Sequence, residues 1–183
     1  MGHAPRICAA LWMAILAPAA HGAEAPQLQP PQASTIDNPA IDARAFLGRA
    51  VEAMRLREER RLSEAEFIRM SREPGTVVLD ARSKARFDEL HIAGAIHLSF
   101  PDIATLTLAA TLPDKDVRIL LYCNNNFRNA EGPFPSKLPS ASLNLSTWVA
   151  LYDYGYRNVW ELAPLVDIEA TALVFASSLP GPP

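Results

Sequence analysis

The chain has 183 residues, of which 49% are hydrophobic and 20% are charged, and its formal net charge is −3. This composition is typical of globular proteins, and the length suffices for one domain with a sizeable core. A slightly acidic chain without a basic stripe is not expected to bind nucleic acid. Two cysteines are too few for a disulfide framework or a four-thiolate zinc site, so each cysteine needs its own explanation.

The first 25 residues are typical of a secretory signal peptide. Arg6 precedes an uncharged run of 14 residues, Ile7–Ala20, and the small-residue triplet Ala23-Glu24-Ala25 follows. The run is shorter than the about 20 apolar residues of a membrane-spanning helix. We therefore expect cleavage, best after Ala25 and otherwise after Ala20 or Ala23. The mature chain would have no membrane span and would be periplasmic or secreted.

Cleavage would remove Cys8 and leave Cys123 as the single thiol. One thiol cannot form an internal disulfide. An unpaired cysteine in an oxidising compartment indicates either an intermolecular partner or a reactive role.

The segment after the signal peptide has two parts. Residues 26–39 contain four prolines and few large apolar groups, which predicts a disordered tether. Residues 40–61 are predicted to form an N-terminal helix, with Asn38 as its cap and Pro39 in its first turn. Four apolar side chains would share one face of this helix: Phe46, Leu47, Val51 and Met54.

From residue 62 onward, short apolar runs alternate with helical segments. We predict helices near residues 63–72, 83–90 and 147–154 and strands near 76–79, 95–98, 117–122 and 158–162. This alternation predicts an α/β domain over residues 62–179 with a mostly parallel sheet, followed by a tail at 180–183. The proline-rich residues 132–144 interrupt the pattern as an insertion.

Cys123 directly follows the predicted strand 117–122. Ligands of parallel sheets bind at the carboxyl ends of the strands. The next residues, Asn124-Asn125-Asn126-Phe127-Arg128, tolerate left-handed backbone conformations and supply amide donors. Such a loop can turn its backbone N–H groups inward as an anion-binding nest that Arg128 closes. Inward amides and a guanidinium would favour the thiolate, which is the reactive form of cysteine.

Three segments resemble the rhodanese family of sulfurtransferases: Thr76–Arg82 (TVVLDAR), His91–His97 (HIAGAIH) and Cys123–Arg128 (CNNNFR). Residues 154–162 also match the last helix-to-strand passage of the family. The resemblance covers about residues 62–167, which is one rhodanese module. It implies a rhodanese-like fold, with a small mostly parallel sheet flanked by helices on both faces.

The resemblance implies that Cys123 carries sulfane sulfur as a persulfide. The donor would be thiosulfate or a related small anion, and the acceptor a thiol or another nucleophile. Site residues carried over from the family are Cys123 as nucleophile and Asn124, Asn125, Asn126, Phe127, Arg128 and Arg82 as substrate-binding residues. An ion pair with Asp80 or Asp88 is the alternative role of Arg82. The loop from Cys123 to Arg128 has six residues, one fewer than in the related dual-specificity phosphatases, which favours sulfur transfer. We expect no cofactor and no metal.

Two features depart from the family pattern. Asn126 stands where the family usually has glycine, and the insertion separates the loop from the helix whose N-terminus would stabilise the thiolate. Either a single helical turn survives at Arg128–Glu131 or the thiolate loses part of that support. The insertion would form a lid or a partner-docking surface.

Two other functions are alternatives to sulfur transfer. A noncatalytic rhodanese-like module that binds a periplasmic partner protein is the main alternative. A cysteine hydrolase would need a histidine beside Cys123, and His91 and His97 fit structural roles better.

Overall fold

A computed structural model describes residues 38–180. The predicted signal peptide, most of the predicted tether and the last three residues of the tail lie outside this range. In chain order the elements are α1 (Ala43–Glu58), β1 (Arg61–Leu62), α2 (Glu64–Ser71), β2 (Thr76–Asp80), α3 (Lys84–Glu89), β3 (His91–Ile92), β4 (Ile96–His97), α4 (Thr105–Thr111), β5 (Arg118–Tyr122), β6 (Phe127–Arg128), α5 (Leu143–Asp153), β7 (Val159–Leu162), β8 (Val166–Asp167) and β9 (Phe175–Ala176). None of the helices within residues 38–180 is long and apolar enough to cross a membrane.

The central sheet has five parallel strands in the order β1-β7-β5-β2-β4. Strand β5 lies in the middle and is apolar at nearly every position, as expected for a strand covered on both faces. Two short ribbons stand apart from the sheet: β3 pairs with β9 in antiparallel orientation, and β6 pairs with β8 in parallel orientation. Because all five strands of the sheet run the same way, their carboxyl ends meet at one edge.

Residues of the three inner strands, β2, β5 and β7, enter two different hydrophobic cores, one on each face of the sheet. In β5, Ile119 and Leu121 pack into one core with Trp148 of α5 and Leu108 of α4. Leu120 enters the other core, which includes side chains of α2. Helices thus cover both faces of the sheet, which confirms the predicted α/β, rhodanese-like fold class.

A capping box begins helix α2, close to the start predicted for this helix. The Ser63 hydroxyl accepts a hydrogen bond from the Glu66 backbone amide at 3.3 Å, and the Glu66 carboxylate accepts from the Ser63 amide at 3.0 Å. This reciprocal pair satisfies two amides that a helix start would otherwise leave without partners.

Helix α1 is shorter than the predicted 40–61, and only part of its predicted apolar face is covered: Leu47 and Met54 are half-buried, and Met54 packs against the core. It begins after Asp42, whose carboxylate accepts from the Ala45 amide at 2.8 Å, so Asp42 and not Asn38 is the cap. Ala53 is fully buried, whereas Phe46 and Val51 are exposed. Helix α1 packs against α5, and Arg49 pairs with Asp153 at the end of α5 at 3.3 Å.

The polypeptide after the Cys123 loop also differs from expectation. Helix α5 begins at Leu143 rather than Thr147, inside the segment assigned to the insertion. No helical turn forms at Arg128–Glu131, because Arg128 belongs to strand β6 and Asn129 follows with a φ of 60°. We call residues 129–141, which connect β6 to α5, the strap.

Replacing Ala53 with leucine tests the packing of α1. Three extra carbon atoms at a fully buried position should lower the free energy of unfolding by about 1–3 kcal/mol. Val51→Leu is the matched control, since this exposed position should tolerate the change within about 0.5 kcal/mol. Urea denaturation of both variants measures the difference, and equal stabilities would contradict the observed orientation of α1.

Candidate active site

Cys123 lies immediately after the central strand, at the carboxyl edge of the sheet. It is the free cysteine of residues 38–180. Its side chain is buried, with 1% of the residue surface exposed. The thiol therefore occupies the position that sequence analysis assigns to it, but it is closed off from solvent.

The loop after Cys123 uses its backbone amides internally. Asn124–Asn126 form one 3₁₀ turn, and Phe127 and Arg128 then enter strand β6. The Cys123 amide donates to Asn126 Oδ1 at 2.8 Å, and the Asn126 amide donates to the Cys123 carbonyl at 3.1 Å. The Phe127 amide donates to the Asn124 carbonyl. These three amides do not form the predicted nest, because each already has an acceptor within the loop.

The Asn126 side chain connects the loop to two other elements. Besides the Cys123 amide, Asn126 Oδ1 accepts from Asn144 Nδ2 of α5 at 3.1 Å. Asn126 Nδ2 donates to the carbonyl of Leu162, the last residue of β7, at 2.6 Å. Asn126 does not have a positive φ, so the conformational freedom of glycine is not needed at this position. Its amide side chain instead makes the hydrogen bonds that hold the loop.

The N-terminus of α5 lies beside the thiol. Ser142, which precedes the first residue of α5, has its hydroxyl oxygen 3.3 Å from Cys123 Sγ. This hydroxyl does not cap the helix and is free to donate to a thiolate. The positive end of the helix dipole also favours negative charge there. The helix N-terminus next to the thiol is thus that of α5, which follows the strap.

The strap covers the loop through hydrogen bonds from the asparagines. Asn124 Nδ2 donates to the Pro135 carbonyl at 2.6 Å, and Asn125 Nδ2 donates to the Lys137 carbonyl at 2.7 Å. Phe134 of the strap is buried, and its ring centroid lies 4.4 Å from that of Phe127. These contacts explain why the thiol is closed off.

Arg82 is sealed inside the protein, with 1% of its surface exposed. Its guanidinium forms a bidentate pair with Asp80 and also donates to the carbonyls of Pro133 and Leu90 at 2.8 and 2.6 Å. Its planar face lies 4.1 Å from the ring centroid of Phe134. Of the two roles considered for Arg82, this geometry favours the ion pair with Asp80; Asp88 pairs with Lys84 instead.

Tyr122 completes this buried network. Its hydroxyl donates to the Asp80 carboxylate and accepts from the Ile92 amide at 3.1 Å. Burial, followed by the Asp80 charge, raises the pKa of Tyr122 far above its ordinary value. The network anchors strap and sheet and does not contact the thiol.

Arg128 and Phe127 point away from each other. The Arg128 side chain is 60% exposed and lies 3.3 Å from the Asp167 carboxylate of β8. Phe127 is buried among other aromatic rings. The structure therefore brings Asn124, Asn125 and Asn126 to the loop around Cys123 but leaves Arg128 at the surface.

The two histidines named in the sequence have backbone partners. His91 Nδ1 lies 2.7 Å from the Phe87 carbonyl, and His97 Nε2 lies 2.9 Å from the Arg82 carbonyl. Within residues 38–180, no group of three or more His, Cys, Asp or Glu side chains could hold a metal ion.

Five residues near the loop were not predicted from the sequence to belong to the site: Ser142, Asn144, Arg57, Arg61 and Glu161. All five line one pocket beside the loop, together with Asn125 and Asn126. Only Ser142 carried a local signal, because serine is a common residue at the start of a helix. The others are brought to the loop by tertiary packing.

Comparisons with known proteins agree with this architecture. A family model described as the rhodanese-like domain matches residues 63–162. A rhodanese from E. coli is 20% identical, with 56% of this chain and 98% of that chain covered and a TM-score of 0.38. A rhodanese-like domain from Anabaena sp. is 20% identical, with 64% and 78% covered and a TM-score of 0.45.

A thiosulfate sulfurtransferase from Pseudomonas aeruginosa is 21% identical, with 65% of this chain but only 20% of that chain covered and a TM-score of 0.44. No match is found among curated proteins. Because the family model spans more than half of the sequence, the chain belongs to the rhodanese-like domain family.

Replacing Tyr122 with phenylalanine tests the buried network. At pH 7 the loss of the hydroxyl should lower the free energy of unfolding by about 1–3 kcal/mol, because two buried partners lose their hydrogen bond. Tyr122 ionises in the unfolded chain near its ordinary pKa of 10.0 but stays protonated when folded. Its contribution is therefore complete below pH 10 and declines above it. Denaturation of both proteins across this range measures the difference, and a constant difference would contradict the assignment.

Replacing Asn125 with alanine tests the strap. The variant loses the bond to Lys137, worth about 0.5–1.5 kcal/mol, so Cys123 should react about 2- to 10-fold faster with an aromatic disulfide. Asn158→Ala is the matched control, because the Asn158 side chain donates to the Asp116 carbonyl, away from the strap. An unchanged rate in Asn125→Ala would show that this bond does not limit access to the thiol.

Proposed function

We propose that this protein is a rhodanese-type sulfurtransferase that carries sulfane sulfur as a persulfide on Cys123. The donor is thiosulfate or a related small anion, and the acceptor is a thiol or another nucleophile. The observation that carries the proposal is the contact between Cys123 Sγ and the Ser142 hydroxyl at the N-terminus of α5. A hydroxyl donor and a helix N-terminus both stabilise the thiolate that the reaction needs.

The reaction has two balanced steps. The Cys123 thiolate attacks the outer sulfur of thiosulfate, a sulfur–sulfur bond forms at Cys123, and sulfite leaves with the electron pair of the broken bond. The acceptor thiolate then attacks the outer sulfur of the persulfide and releases the Cys123 thiolate. The thiol proton passes to solvent before the first step, and no external oxidant or reductant is required.

Substrate access requires the strap to move. The sulfur of Cys123 is buried, and the carbonyls of Pro135 and Lys137 are held by Asn124 and Asn125. Opening these bonds exposes the loop without disturbing Asn126, whose partners lie in the loop, in α5 and after β7. In this proposal Asn126 positions Cys123, while Asn124 and Asn125 hold the strap.

The two arginines carried over from the family receive different roles. Arg82 is held by four oxygen acceptors, so it supports the fold behind the loop. Arg128 could contact the sulfur donor only if strand β6 rotated, because the Arg128 guanidinium faces Asp167. A cation other than Arg82 and Arg128 must therefore bind the anionic donor.

The proposed compartment is the periplasm or the outside of the cell, and a partner protein in that compartment is one candidate acceptor. Support for the compartment comes only from the N-terminal sequence: Arg6, the apolar run Ile7–Ala20 and the triplet at residues 23–25. A strap over the thiol suits an oxidising compartment, where an exposed thiol is readily oxidised.

A noncatalytic binding module is the second candidate. Burial of Cys123 to 1% exposure favours it, as does the pairing of Arg82 and Arg128 with carboxylates. In that case the loop would be a structural element, and the strap would stay closed or form part of a partner surface.

Incubation with excess thiosulfate separates the two candidates. A full chain carrying Cys8→Ser, in which Cys123 is the single thiol, should gain one sulfur atom in intact-mass analysis, and a reducing thiol should remove it. Adding Cys123→Ser gives the matched control, which should gain none. If the Cys8→Ser chain remains unmodified while the thiol reacts with an aromatic disulfide, the transferase proposal fails and the binding module is favoured.

A further inference from the structure

We propose that a polar pocket beside the Cys123 loop binds the sulfonate end of the sulfur donor, with Arg61 as its main cation. This inference rests on the proposed function and names the substrate class and the binding residue of that site. The pocket has a volume of about 380 Å³. Its walls come from the end of α1, strand β1, the loop, the start of α5 and the end of β7.

The pocket meets the thiol through two shared residues. Ser142, whose hydroxyl lies 3.3 Å from Cys123 Sγ, lines the pocket. Asn126, which accepts the Cys123 amide at 2.8 Å, lines it as well. An oxyanion held in this pocket would therefore lie next to the nucleophile, at the carboxyl edge of the sheet, where ligands of parallel sheets bind.

Arg57 and Glu161 determine which cation is available. Glu161 is buried, and Arg57 donates to both of its carboxylate oxygens, one of them from Nε at 2.7 Å. Because Arg57 already neutralises Glu161, Arg61 is held only loosely, with Nε 3.7 Å from the same carboxylate and 42% of its side chain exposed. The guanidinium of Arg61 can turn to an oxyanion, which it recognises through two parallel N–H donors.

Buried polar side chains and a helix end complete the pocket. Asn126 and Asn144 are each more than nine-tenths buried and are fixed by their mutual hydrogen bond. Helix α5 is 11 residues long, and its positive N-terminal end faces the pocket at Asn144. Two arginines and one glutamate give the lining a net charge of +1 before the helix dipole is added, although the whole chain carries −3.

A second pocket, of about 310 Å³, also contains cations but fits this role less well. It is lined by Arg82, Arg86 and Lys137, among others. Arg82 is fully occupied, and Arg86 donates to Glu89 and to the Gly132 carbonyl. Asn124 of the loop lines this pocket, but Ser142 does not, so the pocket lacks the hydroxyl that contacts Cys123 Sγ.

The proposed binding site depends on residues outside the family match. Arg57 and Arg61 precede residue 63, where the match to the rhodanese-like domain begins. Strand β1, which directly follows the N-terminal helix, therefore supplies the cation Arg61 to the candidate active site, while α1 supplies Arg57 and packs against α5 and β7.

Calorimetric titration with thiosulfate tests the pocket independently of the chemistry. The measurement uses the full chain carrying Cys8→Ser and Cys123→Ser, which has no thiol on which a persulfide could form. Adding Arg61→Gln should weaken thiosulfate binding at least about tenfold, because a bidentate charged contact is lost, and Arg61→Lys should restore part of the affinity. Arg86→Gln and Lys137→Gln in the same background are matched controls and should bind thiosulfate like the Cys8→Ser, Cys123→Ser chain alone. Thermal denaturation of each variant checks that folding is unchanged.

Three outcomes would overturn the inference: no thiosulfate binding to the Cys8→Ser, Cys123→Ser chain, undiminished binding after Arg61→Gln, or loss of binding in an Arg86 or Lys137 variant instead. Persulfide formation by the Cys8→Ser chain, measured separately, would still support the proposed function in each of these cases. Arg61-dependent binding without a persulfide would support the pocket and contradict the transferase.

Discussion

The hydrogen bonds of the Asn126 side chain hold together the three elements that meet at the thiol. Its oxygen accepts from the Cys123 amide and from Asn144 of α5, and its nitrogen donates to the carbonyl of Leu162 at the end of β7. Because these bonds are buried, the loss of any one would leave a polar group without a partner. The position of Ser142 beside the sulfur follows from them, since Ser142 lies two residues before Asn144.

The hydrogen-bonded framework has two sides with different tasks. On one side, Asn124 and Asn125 hold the strap, and Arg82 donates to the Pro133 carbonyl of the strap. On the other side, Arg57 fixes Glu161, and Arg61 faces the polar pocket. The strap thus controls access to the Cys123 sulfur, while the polar pocket supplies positive charge. A family module whose two family-matched arginines, Arg82 and Arg128, are paired with carboxylates would in this way gain a cation from strand β1, just before the family match begins.

The sequence predicted those parts of the site whose position depends on a single strand or helix. The apolar run Ile119–Tyr122 specified a central strand, and that alone places Cys123 at the carboxyl edge of the sheet. Arg128 could not be placed in this way, because its orientation depends on strand pairing between β6 and β8, whose paired residues are 39 apart in sequence. Arg57 and Glu161 meet only through packing of α1 on β7, and neither has a neighbouring residue that indicates the contact.

The hydrogen bonds of the strap also indicate where it opens most easily. Among residues 38–180, three buried side-chain atoms lack a hydrogen-bond partner, and all belong to the loop or α5: Asn124 Oδ1, Thr147 Oγ1 and Trp148 Nε1. A buried polar atom without a partner costs about 1–3 kcal/mol. Asn124 therefore gains one bond to Pro135 but leaves its oxygen unpaired, and water would satisfy both atoms once the strap lifted. Asn125, in contrast, uses its nitrogen and its oxygen on Lys137, the latter at 3.4 Å. Opening should begin at Asn124, with Asn125 as the stronger restraint.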